Sequence, residues 1–377
     1  MEKKQINFKG KLIFKKYKVL KYLDQGSFGS VYLGKNIQNN KFCAIKIERD
    51  YDNILKQEAF IQYNLKGYGI PEVISFGRVG NLNILIQTLL GKSIQKIWIE
   101  NKKKLNLKDV CMLAIQTLDR IELVHSKHYV HRDIKPSNFL VGNPDSSIIY
   151  LIDFGNARKY RSSRTGKHIP SSKKNEVFGT ILYTSINSMK GKEQSRKDDL
   201  ESLGYMYIAL LKGELPWSHI NNLKIEEMIR KTCQLKESTT LENLCKNVPK
   251  EFYDYMKYIN KLEFIERPDY QYLRGLFNFT LSKLGLKNDN LFSWIDIRKI
   301  SKFNMRINNY PRRRSNPKIR LFNKINTSNS STNHSLKTFK NCLSMGVINN
   351  IIKQKLLFHL RQNSIKIFIK KRKYKNY

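Results

Sequence analysis

The feature that most restricts the fold is a change of hydrophobic period part-way along the chain. Through residues 17–50 apolar and polar side chains alternate in "YKVLKYL", "SVYLGK" and "KFCAIKIE", with Gly and Asn turn signals between them. A period of two belongs to half-buried strands, so these segments predict a small antiparallel sheet. Residues 53–65, "NILKQEAFIQYNL", read as a helix, and two further apolar strands follow in "PEVISF" and "NILIQTLL". Beyond Gly91 the pattern is helical, most clearly over 107–125 and 196–212, interrupted by a short strand at 148–152. A small sheet-rich unit followed by a larger helical one is an α+β organisation.

The helix at 53–65 carries an anomaly. Ile54, Glu58, Ile61 and Leu65 recur at i, i+4, i+7 and i+11 and share one face. A carboxylate among three apolar residues is costly unless it is paired. In the strand "CAIKIE", Ala44 and Lys46 lie on one face, which turns a lysine inward beside a small residue. An ion pair between Lys46 and Glu58 resolves both oddities; the plainer alternative is a lysine whose stem lies along the surface.

Two other constellations carry chemistry. The first is "LDQGSFGSVYLG", between two strands, where Gly26 and Gly29 let backbone amides approach phosphates. Phe28 would cap the tip and Val31 would lie over a base. A purely structural hairpin has the same glycines, so this motif alone decides little. The second is "HSKHYVHRDIKPSNFLVGN" taken with "IIYLIDFGNAR". Asp133, Lys135 and Asn138 fall within six positions, and Asp153 follows a strand. Asn138 and Asp153 supply two hard oxygen ligands suited to Mg²⁺, which takes few protein oxygens and completes its shell with substrate phosphates and water. Asp133 supplies an acid for a nucleophile, and Lys135 a cation for a transferring phosphoryl group.

In this order the residues form the protein-kinase signature. In more detail the chain resembles the casein kinase one family of Ser/Thr protein kinases, from about Tyr17 to Asp296. The resemblance rests on "GSFGSVYLG", "AIKIE", "HSKHYVHRDIKPSNFLVG", "YLIDFGNARKYR", "TGKHIP", "YTSIN", "EQSRKDDLESLGY", "LPW", "LCKNVP" and "PDYQYLRGLF". "SIN" at 185–187, where most protein kinases carry Ala-Pro-Glu, is specific to that family. The resemblance implies a bilobal protein-kinase fold: an N-terminal extension at 1–16, a sheet-rich lobe at about 17–90, a helical lobe at about 91–296, and a tail from 297. It implies that ATP and Mg²⁺ are used on protein substrates.

Carried over position by position, Asp133 would accept or orient the substrate hydroxyl proton and Lys135 would neutralise the γ-phosphate. Asn138 and Asp153 would hold magnesium. Lys46, locked by Glu58, would hold the α- and β-phosphates, and Asp199 would support the catalytic loop from inside a helix. Nucleotide contacts are implied for Leu23, Asp24, Gln25, Gly26, Ser27, Phe28, Gly29, Val31 and Ala44. The hinge is Gln87-Thr88-Leu89-Leu90, with adenine on the backbone of Thr88 and Leu90.

The chain departs from the family in three places. Asp24 stands where the phosphate loop has its first glycine, which raises the alternative of a catalytically weak kinase-like scaffold. Leu182 replaces an arginine that binds a phosphate already present on the substrate, so a preference for primed substrates is expected to weaken; Lys173 and Lys174 lie nearby. The arginine of "HRD" awaits a phosphorylated loop in many kinases, a requirement the resemblance does not imply, although Ser162, Ser163, Thr165, Ser171 and Ser172 lie in that segment.

Charge is unevenly spread. Residues 298–377 carry 21 Lys and Arg and no acid, leaving 49 basic against 31 acidic side chains before them, a balance of +18. The basic body predicts a taste for acidic protein substrates. The tail is polar and basic, as in "YPRRRSNPKIR" and "NTSNSSTNHS", and is expected to be largely disordered. Ile348, Ile352, Leu356 and Leu360 recur every fourth position, so an amphipathic helix is the competing reading, with an anionic membrane surface, nucleic acid or an acidic protein as partner. No apolar run reaches the length of a membrane span, and the N-terminal residues have no secretory pattern. Five scattered cysteines without a CxxC pair exclude a disulfide framework or a zinc site. An intracellular monomer, in cytoplasm or nucleus, is expected.

Overall fold

The computed structural model describes residues 8–25, 29–49, 53–162, 164–173 and 176–295. The tail from 297, with the helix expected around 348–360, lies outside the described residues, as do Gly26, Ser27, Phe28, Ser163 and Lys174. Leu291–Lys353 separates as a second unit. Within its described part the Phe292 and Trp294 rings stack at 4.4 Å.

The N-terminal lobe is one antiparallel sheet in the order β1-β2-β3-β4-β6-β5. Its strands are β1 (Leu12–Ile13), β2 (Tyr17–Gln25), β3 (Ser30–Asn36), β4 (Phe42–Arg49), β5 (Val73–Val79) and β6 (Leu82–Gln87), with α1 (Ile54–Asn64) between β4 and β5. Alternation in β2, β3 and β4 puts Val19, Tyr32, Ile45 and Ile47 into a core with Ile84 and Ile86. Residues 8–16 were expected as an extension, yet they belong to this lobe: Leu12–Ile13 pairs with Tyr17–Lys18, and Phe8 and Ile13 are buried in the same core. Two large apolar side chains tie the segment down, a signal too short to register as a period.

The C-terminal lobe begins with α2 (Ile94–Glu100) and α3 (Leu107–Ser126). Asn106 caps α3 by accepting from Asp109 N at 2.8 Å. Four short strands follow: β7 (Tyr129–Val130), β8 (Phe139–Val141), β9 (Ile149–Leu151) and β10 (Arg158–Lys159), paired β8 with β9 and β7 with β10. After them come α4 (Ile186–Met189), α5 (Arg196–Lys212), α6 (Ile225–Ser238), α7 (Leu241–Leu244), α8 (Lys250–Lys261) and α9 (Tyr270–Lys283). The Ser195–Asp198 capping box starts α5 and Gly213, at φ 95°, ends it. α5 is buried on nearly every side. Its Tyr207 meets the rings of Tyr255 in α8 and Phe277 in α9, and its hydroxyl shares a 2.7 Å bond with Thr117 of α3. This rigid helical body supports the loops at the ends of the short strands.

Candidate active site

β4 and α1 bring the first pair together. Lys46 lies opposite Val31 of β3 and Leu85 of β6 in register, and Ala44 lies opposite Leu33 and Gln87. Across from it Ile54, Glu58, Ile61 and Leu65 are all buried. Lys46 Nζ donates to Glu58 Oε2 at 2.5 Å and lies 3.8 Å from Asp153 Oδ1. The start of α1 is fixed by Glu48, whose Oε2 accepts from Leu55 N at 2.8 Å. A carboxylate there also faces the positive end of the helix. Gln57 Nε2 donates to Ala157 O at 3.1 Å, and Gln62 Nε2 to Gln87 Oε1 at 2.9 Å, so α1 is tied both to the segment after Asp153 and to the end of β6.

Residues 131–138 form the second group, suspended from Asp199 of α5. Asp199 Oδ2 accepts from His131 N at 2.7 Å and Oδ1 from Arg132 N at 2.8 Å. Those amides point inward because Arg132 has φ 67°, a left-handed conformation. His125 Nε2 lies 2.9 Å from Asp199 Oδ2, and its Nδ1 lies 2.6 Å from Tyr270 Oη. Burial would raise the Asp199 carboxyl, but the bonds from His125 and the charges around it hold it below the usual carboxylate value. The Arg132 Nε donates to Asn156 O at 2.7 Å, and the guanidinium lies over the Phe178 ring. Burial and then Arg158 push it down to about 10.

At the centre, Asp133 Oδ1 accepts from Thr180 Oγ1 at 2.9 Å. Lys135 Nζ donates to Thr180 Oγ1 at 3.0 Å and lies 3.3 Å from Asp133 Oδ2. Asn138 Nδ2 donates to Asp133 O at 2.8 Å, with Oδ2 at 3.4 Å. Only the amide nitrogen can donate to that carbonyl, so the carboxamide oxygen of Asn138 is turned the other way. Asp153 sits at φ 67°, ψ 68° ahead of a 3-10 turn at Phe154–Asn156. The sequence-predicted residues Lys46, Glu58, Asp133, Lys135, Asn138 and Asp153 therefore fall into two bonded sets, and Asp153 is brought within ion-pair distance of Lys46.

The Gly-rich hairpin is described only at its flanks. Gln25 Oε1 accepts from Ser30 Oγ at 3.0 Å, and exposed Asp24 accepts from Gln25 N at 2.8 Å. Leu23 is exposed as well. Gly29 has an evident reason: a Cβ there would lie 2.1 Å from Ile47 O, so the hairpin passes too close to β4 for any side chain. At the hinge, Thr88 N donates to Glu72 O at 3.1 Å and its hydroxyl accepts from Glu72 N at 3.0 Å.

Sequence reasoning missed Thr180, His125 and Lys236. Thr180 is 47 positions from Asp133 and belongs to no periodic pattern. His125 reads as one more polar residue at the end of α3. Lys236 is buried in α6, donates to Thr184 O at 2.6 Å, and lies over the Tyr205 and Trp217 rings. Trp217 Nε1 in turn donates to Leu182 O at 2.8 Å. Leu182 and the segment around "YTSIN" are thus held through backbone carbonyls, which a sequence pattern does not mark.

A family model described as protein kinase domain matches residues 17–274. The chain belongs to the protein kinase family. This kinase domain is 40% identical over 285 residues to casein kinase I homolog 2 of Schizosaccharomyces pombe, and 41% identical over 284 residues to casein kinase I homolog 1 of the same organism. Each match covers 74% of this chain, and 66% and 64% of the two relatives, so the chain spans just under two thirds of their length. The likeness to casein kinases read from the motifs is shown by these relatives, and the α+β architecture is that of the kinase domain.

Proposed function

We propose that the chain is a Ser/Thr protein kinase of the casein kinase I type, transferring the γ-phosphoryl group of ATP to a protein hydroxyl with Asp133 aiming the oxygen. The observation that carries this reading is the bonded set Asp133–Thr180–Lys135. A carboxylate fixed by a hydroxyl of the following segment, with an ammonium within 3.3 Å, offers one oxygen to an incoming alcohol and one cation to a transferring phosphoryl group.

Lys46 is assigned to the α- and β-phosphates, with Glu58 fixing its amine. Adenine is assigned to the carbonyl of Thr88 and the backbone of Leu90, because the Thr88 N–H already donates to Glu72; Val31 and Ala44 flank the base from β3 and β4. Mg²⁺ fits Asn138 and Asp153: one carboxamide oxygen turned away from Asp133 and one carboxylate make a sparse, hard donor set of the kind this ion takes beside substrate phosphates. When bound it would offset charge on the phosphates. Asn138 meanwhile keeps the Asp133 backbone in place through Nδ2.

The +18 body supports a preference for acidic protein substrates, and Leu182 in place of arginine supports a weakened demand for primed ones. For the basic tail both readings stand, a largely disordered segment or one that meets an anionic membrane surface, nucleic acid or an acidic protein. A scaffold without activity is favoured by Asp24 alone, and that carboxylate is exposed in β2 and bonded to its own neighbour. Phosphotransfer to an acidic protein by the intact chain, by Asp133→Asn and by a truncation after residue 297 tests the reading. Activity abolished by Asp133→Asn supports it. Equal inertness of wild type and variant makes the chain a scaffold.

A further inference from the structure

Among the described residues three lysines are buried, Lys46, Lys135 and Lys236. The first two belong to the bonded sets of the active site; Lys236, near the end of α6, belongs to neither. α6 packs through Ile229 and Cys233 against Val177, Ile181 and Met189, so its inner face covers the segment that carries Thr180. From that face Lys236 Nζ donates to Thr184 O at 2.6 Å and to Ile181 O at 3.4 Å. The ammonium lies 4.4 Å from the centre of the Tyr205 ring and 4.8 Å from that of Trp217. Glu201 of α5 meets the same segment with the opposite charge: its Oε1 accepts from Ile186 N at 2.9 Å and from Tyr205 Oη at 2.8 Å. Burial pushes the Lys236 ammonium below the ordinary lysine value, against the pull of Glu201. An apolar side chain of like volume would fill the space over the two rings without that desolvation, and such replacements of buried charge are often neutral or stabilising. Stability alone gives little reason for a cation here; the groups it holds give a better one.

Those groups form one turn. Thr180 O accepts from Tyr183 N at 2.9 Å, from Thr184 N at 2.9 Å and from Thr184 Oγ1 at 2.8 Å, so residues 180–184 are bonded into a single unit. One end of that unit is fixed by Thr180 Oγ1, which donates to Asp133 Oδ1. The other end is fixed by Lys236 through Thr184 O, and by Trp217, whose ring lies under the same ammonium, through Leu182 O at 2.8 Å. We propose that Lys236 is a positioning residue for phosphotransfer: by holding the 180–184 turn from α6 it sets the Thr180 hydroxyl, and through it the Asp133 carboxylate, where the substrate oxygen is aimed. This rests on the kinase reading of Asp133. Lys236 acts at a remove, since the bonds Lys236–Thr184, Thr184–Thr180 and Thr180–Asp133 stand between its ammonium and the carboxylate. Each link is a directional hydrogen bond inside a packed segment, so a shift at α6 is passed on rather than absorbed. Displacing a group that aims a reacting atom by about 1 Å is enough to lower a rate by as much as a hundredfold.

The test is a double-mutant cycle on the full chain, read as phosphotransfer to an acidic protein and counted per molecule that binds ATP. Lys236→Met removes the ammonium at similar length. It is expected to lower kcat roughly tenfold while KM for ATP changes little. In a Thr180→Val background the same substitution is expected to lower kcat by no more than about twofold, because the link to Asp133 is already cut. Lys236→Gln keeps an N–H donor and loses the charge, and it repeats the cycle where the methionine variant does not fold. A partial loss of kcat, again absent in the Thr180→Val background, is the result expected of it. A lowered melting temperature with kcat unchanged overturns the proposal and leaves Lys236 a packing residue. A fall in kcat of equal size with and without the Thr180 hydroxyl also overturns it, since the effect then reaches the reaction by another route. A wild-type chain that binds ATP and transfers nothing to the acidic protein overturns the kinase reading and this inference with it, an outcome told apart because it appears before any substitution is made.

Discussion

Lys46 Nζ lies 2.5 Å from Glu58 Oε2 and 3.8 Å from Asp153 Oδ1, with the Lys46 and Glu58 side chains buried between β4 and α1. One ammonium therefore serves two carboxylates, and the substitutions at its two ends are not equivalent. Lys46→Met leaves both acids without that cation and is expected to cost about 3–5 kcal/mol as well as activity. Glu58→Gln leaves the amine beside Asp153 and should cost less in stability while still lowering phosphotransfer. Denaturant unfolding and ATP turnover measured on both variants check this ordering. Equal stability losses would show that Asp153 does not share the charge.

Thr180 is expected to act through Asp133. Its hydroxyl donates to Asp133 Oδ1 and accepts from Lys135 Nζ. Thr180→Val removes both bonds at nearly constant volume, so kcat should fall roughly ten- to a hundredfold while KM for ATP changes little. Thr180→Ser keeps the hydroxyl and should recover most of the loss. Failure of serine to rescue would assign the effect to the lost methyl packing.

His125 gives the stability a defined pH dependence. Burial holds it below the ordinary histidine value, against the pull of Asp199. The neutral ring fits its partners, with Tyr270 O–H donating to Nδ1 and Nε2–H donating to Asp199. Unfolding restores the ordinary histidine value of 6.5, so below that pH the unfolded chain binds a proton that the folded chain refuses. The contribution is complete above pH 6.5 and declines as pH falls towards the folded value, by at most about 1.4 kcal/mol per pH unit. Urea midpoints from about pH 7.5 to 5.5 should show this slope in the wild type and a shallower one in His125→Asn. Parallel slopes would mean that the folded ring takes up its proton at the same pH as the unfolded one.

Gly29→Ala tests why that glycine is there. The added methyl would meet three backbone atoms of β4, Ile47 O at 2.1 Å, Ile47 C at 2.9 Å and Glu48 Cα at 3.2 Å. Backbone cannot rotate aside as a side chain can, so β4 or the hairpin must shift, at about 1–3 kcal/mol. Because Lys46 and the α1-capping Glu48 flank that point, KM for ATP should rise several-fold along with the loss of stability. A melting temperature and KM both unchanged would show that the hairpin approaches β4 less closely.

Much of this arrangement was legible in the amino-acid order because it rests on local regularities. Alternation placed β2, β3 and β4, a four-residue recurrence placed α1, and a carboxylate on its apolar face called for a cation, for which Lys46, turned inward on β4, was the evident candidate. Asp133, Lys135 and Asn138 are close in sequence, so one tight loop carries them whatever the rest of the chain does. Where a group answers to partners far along the chain, the sequence was silent. Thr180 reaches Asp133 only because the segment before α4 folds back over the catalytic loop; the support of that loop by Asp199 was expected from the resemblance alone, since no periodicity says that α5, buried against α3, brings its carboxylate to the amides of His131 and Arg132. The inclusion of Phe8 and Leu12–Ile13 in the sheet and the meeting of Lys173 with Lys192 were likewise decided by tertiary packing. Periodicity reports which face of an element avoids water; which distant element comes to cover that face, and which polar groups it must then satisfy, is settled only when the whole core closes.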